Sequence, residues 1–185
     1  MKVLVVKQFG SLVVEERLAP VPGTGEVLVD VHAAGVNFPD LMVIAGTYQI
    51  LPPLPFIPGK ECAGIVKAVG PCVTLFKPGD RVMVQIEHGA FAGQLAIPAR
   101  ILYRLPDSLP YPQAAMVEPV SIAVHAVQRT KIAPGSTAVV VGSGMIGLLV
   151  IQALRWAGAK NVVAVDLADN RLALATQLGA THTIN

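Results

Sequence analysis

Apolar and polar residues alternate along much of the first 110 positions, and the period then lengthens. "KVLVV" and "LVVEE" flank "KQFGS" as the two arms of a hairpin. After the turn "PGTGE", the stretch "VLVDVHA" alternates as a half-buried strand does. "AGIVKAVG" and "DRVMVQI" predict two more strands. The "KPGD" between them suits a type II turn with Pro78 and Gly79 at its centre. "FAGQLAI" and "ILYRL" complete a series of short strands joined by Gly/Pro turns, which predicts a small β-barrel. The proline-dense "LPPLPFIPG" can be neither helix nor central strand. Ordered loops of that length often carry function.

From Pro112 the pattern is helical. "PQAAMVEPVSIAVHAVQRT" predicts two helical pieces, with Pro119 starting the second. The run from Ile132 to Leu154 then contains no charged side chain. Its length alone permits a membrane span, which needs roughly 20 apolar residues. Its internal order argues against one. Thr137–Val141 reads as a buried β-branched strand, and Pro134 and Gly135 form a turn before it. Gly142, Ser143 and Gly144 break the chain. Met145 to Trp156 reads as a helix, and Gly158 lies where a helix commonly stops. "NVVAVD" is a further strand ending on Asp166. The flanks lack a Lys/Arg cluster or an aromatic belt. A helix from about Asn170 to Leu178 ends at Gly179, and "THTIN" opens a third strand.

Strand, glycine turn, helix, strand is the context that gives a G-x-G-x-x-G motif its meaning. Gly142 allows the tight turn, Gly144 lets the backbone approach a pyrophosphate, and Gly147 lets the helix pack on the sheet. Ser143, Met145 and Ile146 complete the loop and helix start, whose exposed N–H groups favour phosphate. Asp166 lies at the distance where the fingerprint expects an acid that accepts ribose hydroxyls. Such an acid favours NAD(H) over NADP(H), because it repels a 2′-phosphate. Arg171 is read either as a receiver of that phosphate or as an exposed helix position. The alternative for the whole motif is a glycine-tolerant corner without a ligand.

Composition narrows the class. A net charge of +2 on 185 residues does not suggest a nucleic-acid partner. Charged residues make up 14% and apolar residues 53%, so the chain can fill a large core and has apolar surface to spare. The N-terminus does not read as a signal peptide, because Lys7, Glu15 and Glu16 interrupt its apolar stretch. Cys62 and Cys72 have neither disulfide nor metal spacing, and a cytoplasmic protein with reduced thiols is expected.

The stretches "AAGVNFPDLMVIAGTYQ", "PFIPGKECAGIVKAVG", "FKPGDRV" and "VVVGSGMIGLLVIQALRWAGAKNVVAVD" together resemble the medium-chain dehydrogenase/reductase superfamily. The resemblance covers the whole chain. It implies an α/β protein with a GroES-like β-barrel over 1–115. The first part of a Rossmann doubly wound parallel sheet follows over 116–185.

The barrel is similar to zinc-free quinone oxidoreductases. Where the zinc-dependent members have a cysteine ligand, a hydroxyl relay residue and a histidine ligand, this chain has Asn37, Pro39 and Lys60. The segment between Arg81 and Phe91 lacks the four cysteines of their structural zinc lobe. "VEPVSIAVHAV" resembles polyol dehydrogenases instead. Glu61 and Glu118 then match carboxylates at the metal, and two carboxylates alone make a poor zinc site. Glu118 also suits plain electrostatics at a helix start. No zinc is expected.

The resemblance further implies that Asn37 and Tyr48 face the nicotinamide and substrate. Tyr48 would hydrogen-bond a carbonyl oxygen gaining charge, or it is simply a packed tyrosine. Asp40 lies near the cleft or caps the next helix. Lys60 stabilises an enolate oxygen or, the favoured reading, pairs with a neighbouring carboxylate. Ser121 matches a position that packs on the nicotinamide. His32, His88 and His125 read as surface or core histidines.

Three functions stay open. The first is a zinc-independent reductase of quinones or α,β-unsaturated carbonyls. The second is a zinc-type alcohol or polyol dehydrogenase with a degraded site. The third is a non-catalytic fragment or interaction module. A complete Rossmann domain has six strands, and this chain supplies two and the start of a third. A C-terminally truncated unit is therefore expected, associating as a homo-oligomer or through an open sheet edge.

Overall fold

The alternating run at the N-terminus forms the predicted hairpin in the computed structural model, which describes residues 1–185. β1 (Lys2–Gln8) and β2 (Ser11–Glu16) pair antiparallel. Single bridges from Val3 to Ala92 and from Val6 to Phe56 join the hairpin to the strands and loops that follow. β3 (Glu26–Ala34), β4 (Glu61–Val69), β5 (Arg81–Gln85), β6 (Gln94–Pro98) and β7 (Leu102–Arg104) form one antiparallel sheet in the order β6-β3-β4-β5-β7. Its core is β-branched: Val27, Val29, Val66, Val82 and Val84 are buried against Leu95, Ile97 and Cys62. Each such aliphatic side chain contributes about 1.5–3 kcal/mol when fully buried. The "KPGD" turn forms as predicted, with Gly79 at positive φ and the Asp80 N–H donating to the Lys77 carbonyl. Residues 51–59 contain no helix or strand beyond the bridge at Phe56.

A short helix, α1 (Phe38–Ala45), leaves β3 after Asn37, and α2 (Tyr111–Ala114) packs Ala114 and Ala115 on Ala63 and Met83. Arg81 ties that C-terminal stretch to β5. Its guanidinium lies over the Tyr111 ring at 4.5 Å and donates to the carbonyls of Pro106, Asp107 and Leu109. His32 stacks on the same ring, and His88 meets Phe56 edge-on.

The chain divides into two compact units, Met1–Val117 and Glu118–Asn185. α3 (Val117–Arg129) begins at the boundary. It starts two residues before Pro119, which corrects the expectation that this proline opens the helix. A first-turn N–H has no intrahelical acceptor, so a proline there forfeits no bond.

The second unit alternates strand and helix: β8 (Thr137–Val141), α4 (Met145–Trp156), β9 (Asn161–Val165), α5 (Asp169–Gln177) and β10 (His182–Ile184). The three strands are parallel in the order β10-β9-β8. Ile151 and Leu154 of α4 pack with Val140, Val162, Ala164, Leu172 and Ala175. β8 has a neighbour on one side only. The apolar run 132–154 is thus a turn, a strand and a helix, and no helix is long and apolar enough to cross a membrane.

Candidate functional site

The glycine loop joins β8 to α4. Gly142 takes a φ of 95°, the left-handed region that admits glycine at little cost. A Cβ on Gly147 would lie 1.8 Å from the Gly142 carbonyl oxygen, so glycine there permits the close approach of helix and loop. A Cβ on Gly144 would meet nothing within 4 Å, which leaves open space over the loop. Gly144 is the N-cap of α4, and Met145, Ile146 and Gly147 form its first turn. Their N–H groups have no intrahelical acceptor, so the helix start offers donors and a partial positive charge.

Asp166 follows β9 directly. Its Oδ2 accepts the Ser143 N–H at 2.7 Å and its Oδ1 accepts the Ala168 N–H at 2.9 Å. These two bonds, the Ser143 one first, hold its carboxyl below the usual aspartate value, and the nearby Arg171 adds to the effect. The Arg171 guanidinium reaches to 3.8 Å of Oδ2. Each carboxylate oxygen keeps a second lone pair for a hydroxyl. A cavity of about 620 Å³ opens here, lined among others by Gly142, Asp166, Leu167, Asn170 and Arg171. The Ser143 hydroxyl is fully buried without a hydrogen-bond partner. Open space over Gly144, a helix start and a carboxylate beside a cavity fit the pyrophosphate and ribose of a dinucleotide. Ser121 sits elsewhere in this unit, on α3, where its hydroxyl donates to the Glu118 carbonyl.

In the first unit, Asn37 and Asp40 form a capping box at the start of α1. The Asn37 N–H donates to Asp40 Oδ2 at 2.8 Å. The Asn37 side-chain Nδ2 donates to Glu61 Oε1 at 2.7 Å. All three residues are buried. Burial pushes the Asp40 carboxyl up, against the lowering effects of the Asn37 N–H and the Lys60 charge. Lys60 Nζ lies 3.2 Å from Glu87 Oε2 and 5.4 Å from the centre of the Tyr48 ring. Its ion-pair partner is therefore the exposed loop carboxylate of Glu87. The structure thus brings Asn37, Asp40, Tyr48 and Lys60 together and adds Glu61 and Glu87. Glu61 stood out in the sequence only as a metal-type carboxylate. Glu87 carried no signal, because only the pairing of β4 with β5 brings it to Lys60.

Residues 23–107 match the family model "Alcohol dehydrogenase GroES-like domain", and residues 146–185 match "Zinc-binding dehydrogenase". A sorbitol dehydrogenase of Bacillus subtilis is 34% identical over all of this chain and 61% of its own length. Quinone oxidoreductase-like protein 2 of Mus musculus is 40% identical over 92% of this chain and 50% of its own. The crystal structure of 2R,3R-butanediol dehydrogenase from Bacillus subtilis superposes with a TM-score of 0.93 at 30% identity, over 99% of this chain and 62% of that one. The chain therefore spans about half to three-fifths of the length of these relatives.

Zinc wants nitrogen or sulfur lone pairs in such a setting. The Asn37 amide nitrogen donates to Glu61, and a lysine ammonium has donors only. Within either unit no three His, Cys, Asp or Glu side chains converge. The residues at 37 and 60 do not fit the metal. The fold, the glycine loop and both family models agree on one assignment: the chain belongs to the medium-chain dehydrogenase/reductase superfamily.

Proposed function

We propose that the protein is a zinc-independent oxidoreductase that transfers a hydride from a nicotinamide cofactor to a quinone or an α,β-unsaturated carbonyl. The observation that carries this reading is the Asn37–Glu61 hydrogen bond. It commits to a protein–protein contact the two side chains at positions the metal-dependent branch devotes to its ion. A bound dihydronicotinamide supplies the hydride. The protein's part is to hold the acceptor and to meet the charge that develops on its oxygen. The Tyr48 hydroxyl and the Asn37 amide are the donors for that oxygen, and the Lys60 ammonium beside the Tyr48 ring favours the same charge. Asp40 anchors Asn37 through its backbone N–H.

On the cofactor side, the loop from Gly142 to Gly147, with Ser143, Met145 and Ile146, takes the pyrophosphate. Asp166 takes the ribose hydroxyls and selects NAD(H) over NADP(H), with Arg171 at the rim. Ser121 packs on the nicotinamide. We place the working protein in the cytoplasm as a homo-oligomer.

The test is turnover by the full chain. NADH-dependent reduction of 1,4-benzoquinone or of an enone, unchanged by a chelator, is expected. Polyol oxidation that a chelator abolishes would overturn the reading in favour of the zinc-type alternative. The sorbitol dehydrogenase relative keeps that alternative specific.

A further inference from the structure

We infer that Glu61 is a positioning residue that sets which face of the Asn37 amide meets the bound ligand. The inference rests on the reading above, in which Asn37 contacts the acceptor.

Asn37 carries an amide that can point either way. Glu61 removes the choice. The Nδ2 side faces Glu61 Oε1 at 2.7 Å, with the carboxyl oxygen as acceptor. Asp40 holds the backbone beside it, its Oδ2 accepting the Asn37 N–H at 2.8 Å and its own N–H donating to the Asn37 carbonyl at 3.0 Å. Nδ2 carries two hydrogens and Glu61 takes one. The second is the hydrogen-bond donor left for a ligand, and it suits a carbonyl oxygen or an oxyanion. A flipped amide would offer an acceptor in its place and would repel that oxygen.

The carboxylate is itself seated. Glu61 is 1% exposed and Asn37 8%. Gly35 leaves the space that the Glu61 carboxylate fills: a Cβ there would lie 2.1 Å from Oε1. The strand end that carries Glu61 is also tied to Gly35, whose N–H donates to the Glu61 carbonyl. Three separated positions, 35, 37 and 61, thus fix one amide. The geometry presents a donor to the ligand at Asn37, which suits the carbonyl oxygen of a quinone or enone as it gains charge.

The experiment compares Glu61→Leu, Glu61→Gln, Gly35→Ala and Asn37→Ala. In nitrogen–proton spectra of the 185-residue chain, the Asn37 side-chain NH₂ pair should move in Glu61→Leu and Gly35→Ala. It should stay near its native position in Glu61→Gln, whose amide oxygen still accepts. In the full chain, kcat for quinone reduction should fall tenfold or more in Glu61→Leu and Gly35→Ala, with KM for NADH within about twofold, and Glu61→Gln should recover most of it. Removing a whole oxyanion donor costs about 10²–10³ in kcat, so a misoriented one should cost less. A folded Glu61→Leu protein that turns over normally while Asn37→Ala is inactive overturns the positioning role and leaves the functional reading intact. Full activity in Asn37→Ala overturns the inference through the reading it rests on.

Discussion

The carboxylate of Asp166 reaches back across the top of the parallel sheet and accepts the backbone N–H of Ser143 at 2.7 Å. One side chain thereby locks the glycine loop to the end of β9, and the same group is placed to receive a ribose. Its substitution should change two properties. Asp166→Ser should weaken NADH binding about tenfold and raise the relative affinity for NADPH, as measured by fluorescence titration of the full chain. NADPH binding tighter than NADH in the unmodified protein would contradict the assignment. The pH dependence has a definite sign. The folded-state pKa lies below the ordinary value near 3.8. The stabilisation is present above that ordinary value and is lost as pH falls through the lower folded value. Unfolding of the unmodified chain should therefore steepen below about pH 4, and less so in Asp166→Asn.

Much of this unit was legible because local chemistry and tertiary structure agree there. β-branched runs, a glycine break and a Gly at the helix end each predicted the element that formed, with bounds within a residue or so for α4, α5 and β10. Pro119 misled because a proline is tolerated throughout a first turn and so marks it only loosely. The contacts of the barrel site were not legible. The Asn37–Asp40 cap is a local pattern, but Glu61 lies 24 residues from its Asn37 partner and Glu87 lies 27 from Lys60. Strand register joins those pairs, and no short-range rule encodes it.

Two glycines of the loop should separate folding from binding. Gly147→Ala places a Cβ 1.8 Å from a backbone oxygen, and backbone cannot rotate aside. Overpacking of this kind costs about 1–3 kcal/mol or more, so both the unfolding midpoint and nucleotide affinity should fall. Gly144→Ala meets nothing in the protein. It should fold with a midpoint within about 2 °C of the parent and still lose at least tenfold in nucleotide affinity, because only the ligand occupies that space. Thermal unfolding with and without NADH reads both. Unchanged binding in Gly144→Ala would mean that the pyrophosphate does not lie over the loop.

The two thiols should differ sharply. Burial, with the Glu61 charge as a second cause, pushes the Cys62 thiol up to about 12. The thiolate is the reactive species, so Cys62 should be silent toward a disulfide reagent at pH 8. Cys72 is exposed and should react at once. A native count of one fast thiol per chain and two after denaturation is expected. Rapid modification of both in the native state would show that β4 opens readily.

The outer strand of the second unit should drive association. β8 pairs with β9 alone, and its other edge presents unpaired backbone groups. Val139 and Val141, one face of the same strand, are 61% and 83% exposed. Apolar area is worth about 25 cal/mol per Å² when removed from water, so covering this strand is favourable for any chain that can align with it. A second copy meets that condition by pairing edge to edge. Sedimentation of the 185-residue chain at micromolar concentration should show dimers or larger species. Val139→Lys with Val141→Lys should shift the distribution toward monomer, because two like-charged rows placed side by side repel. A compact monomer at tens of micromolar, with an unfolding midpoint independent of concentration, would mean that the edge of β8 recruits nothing.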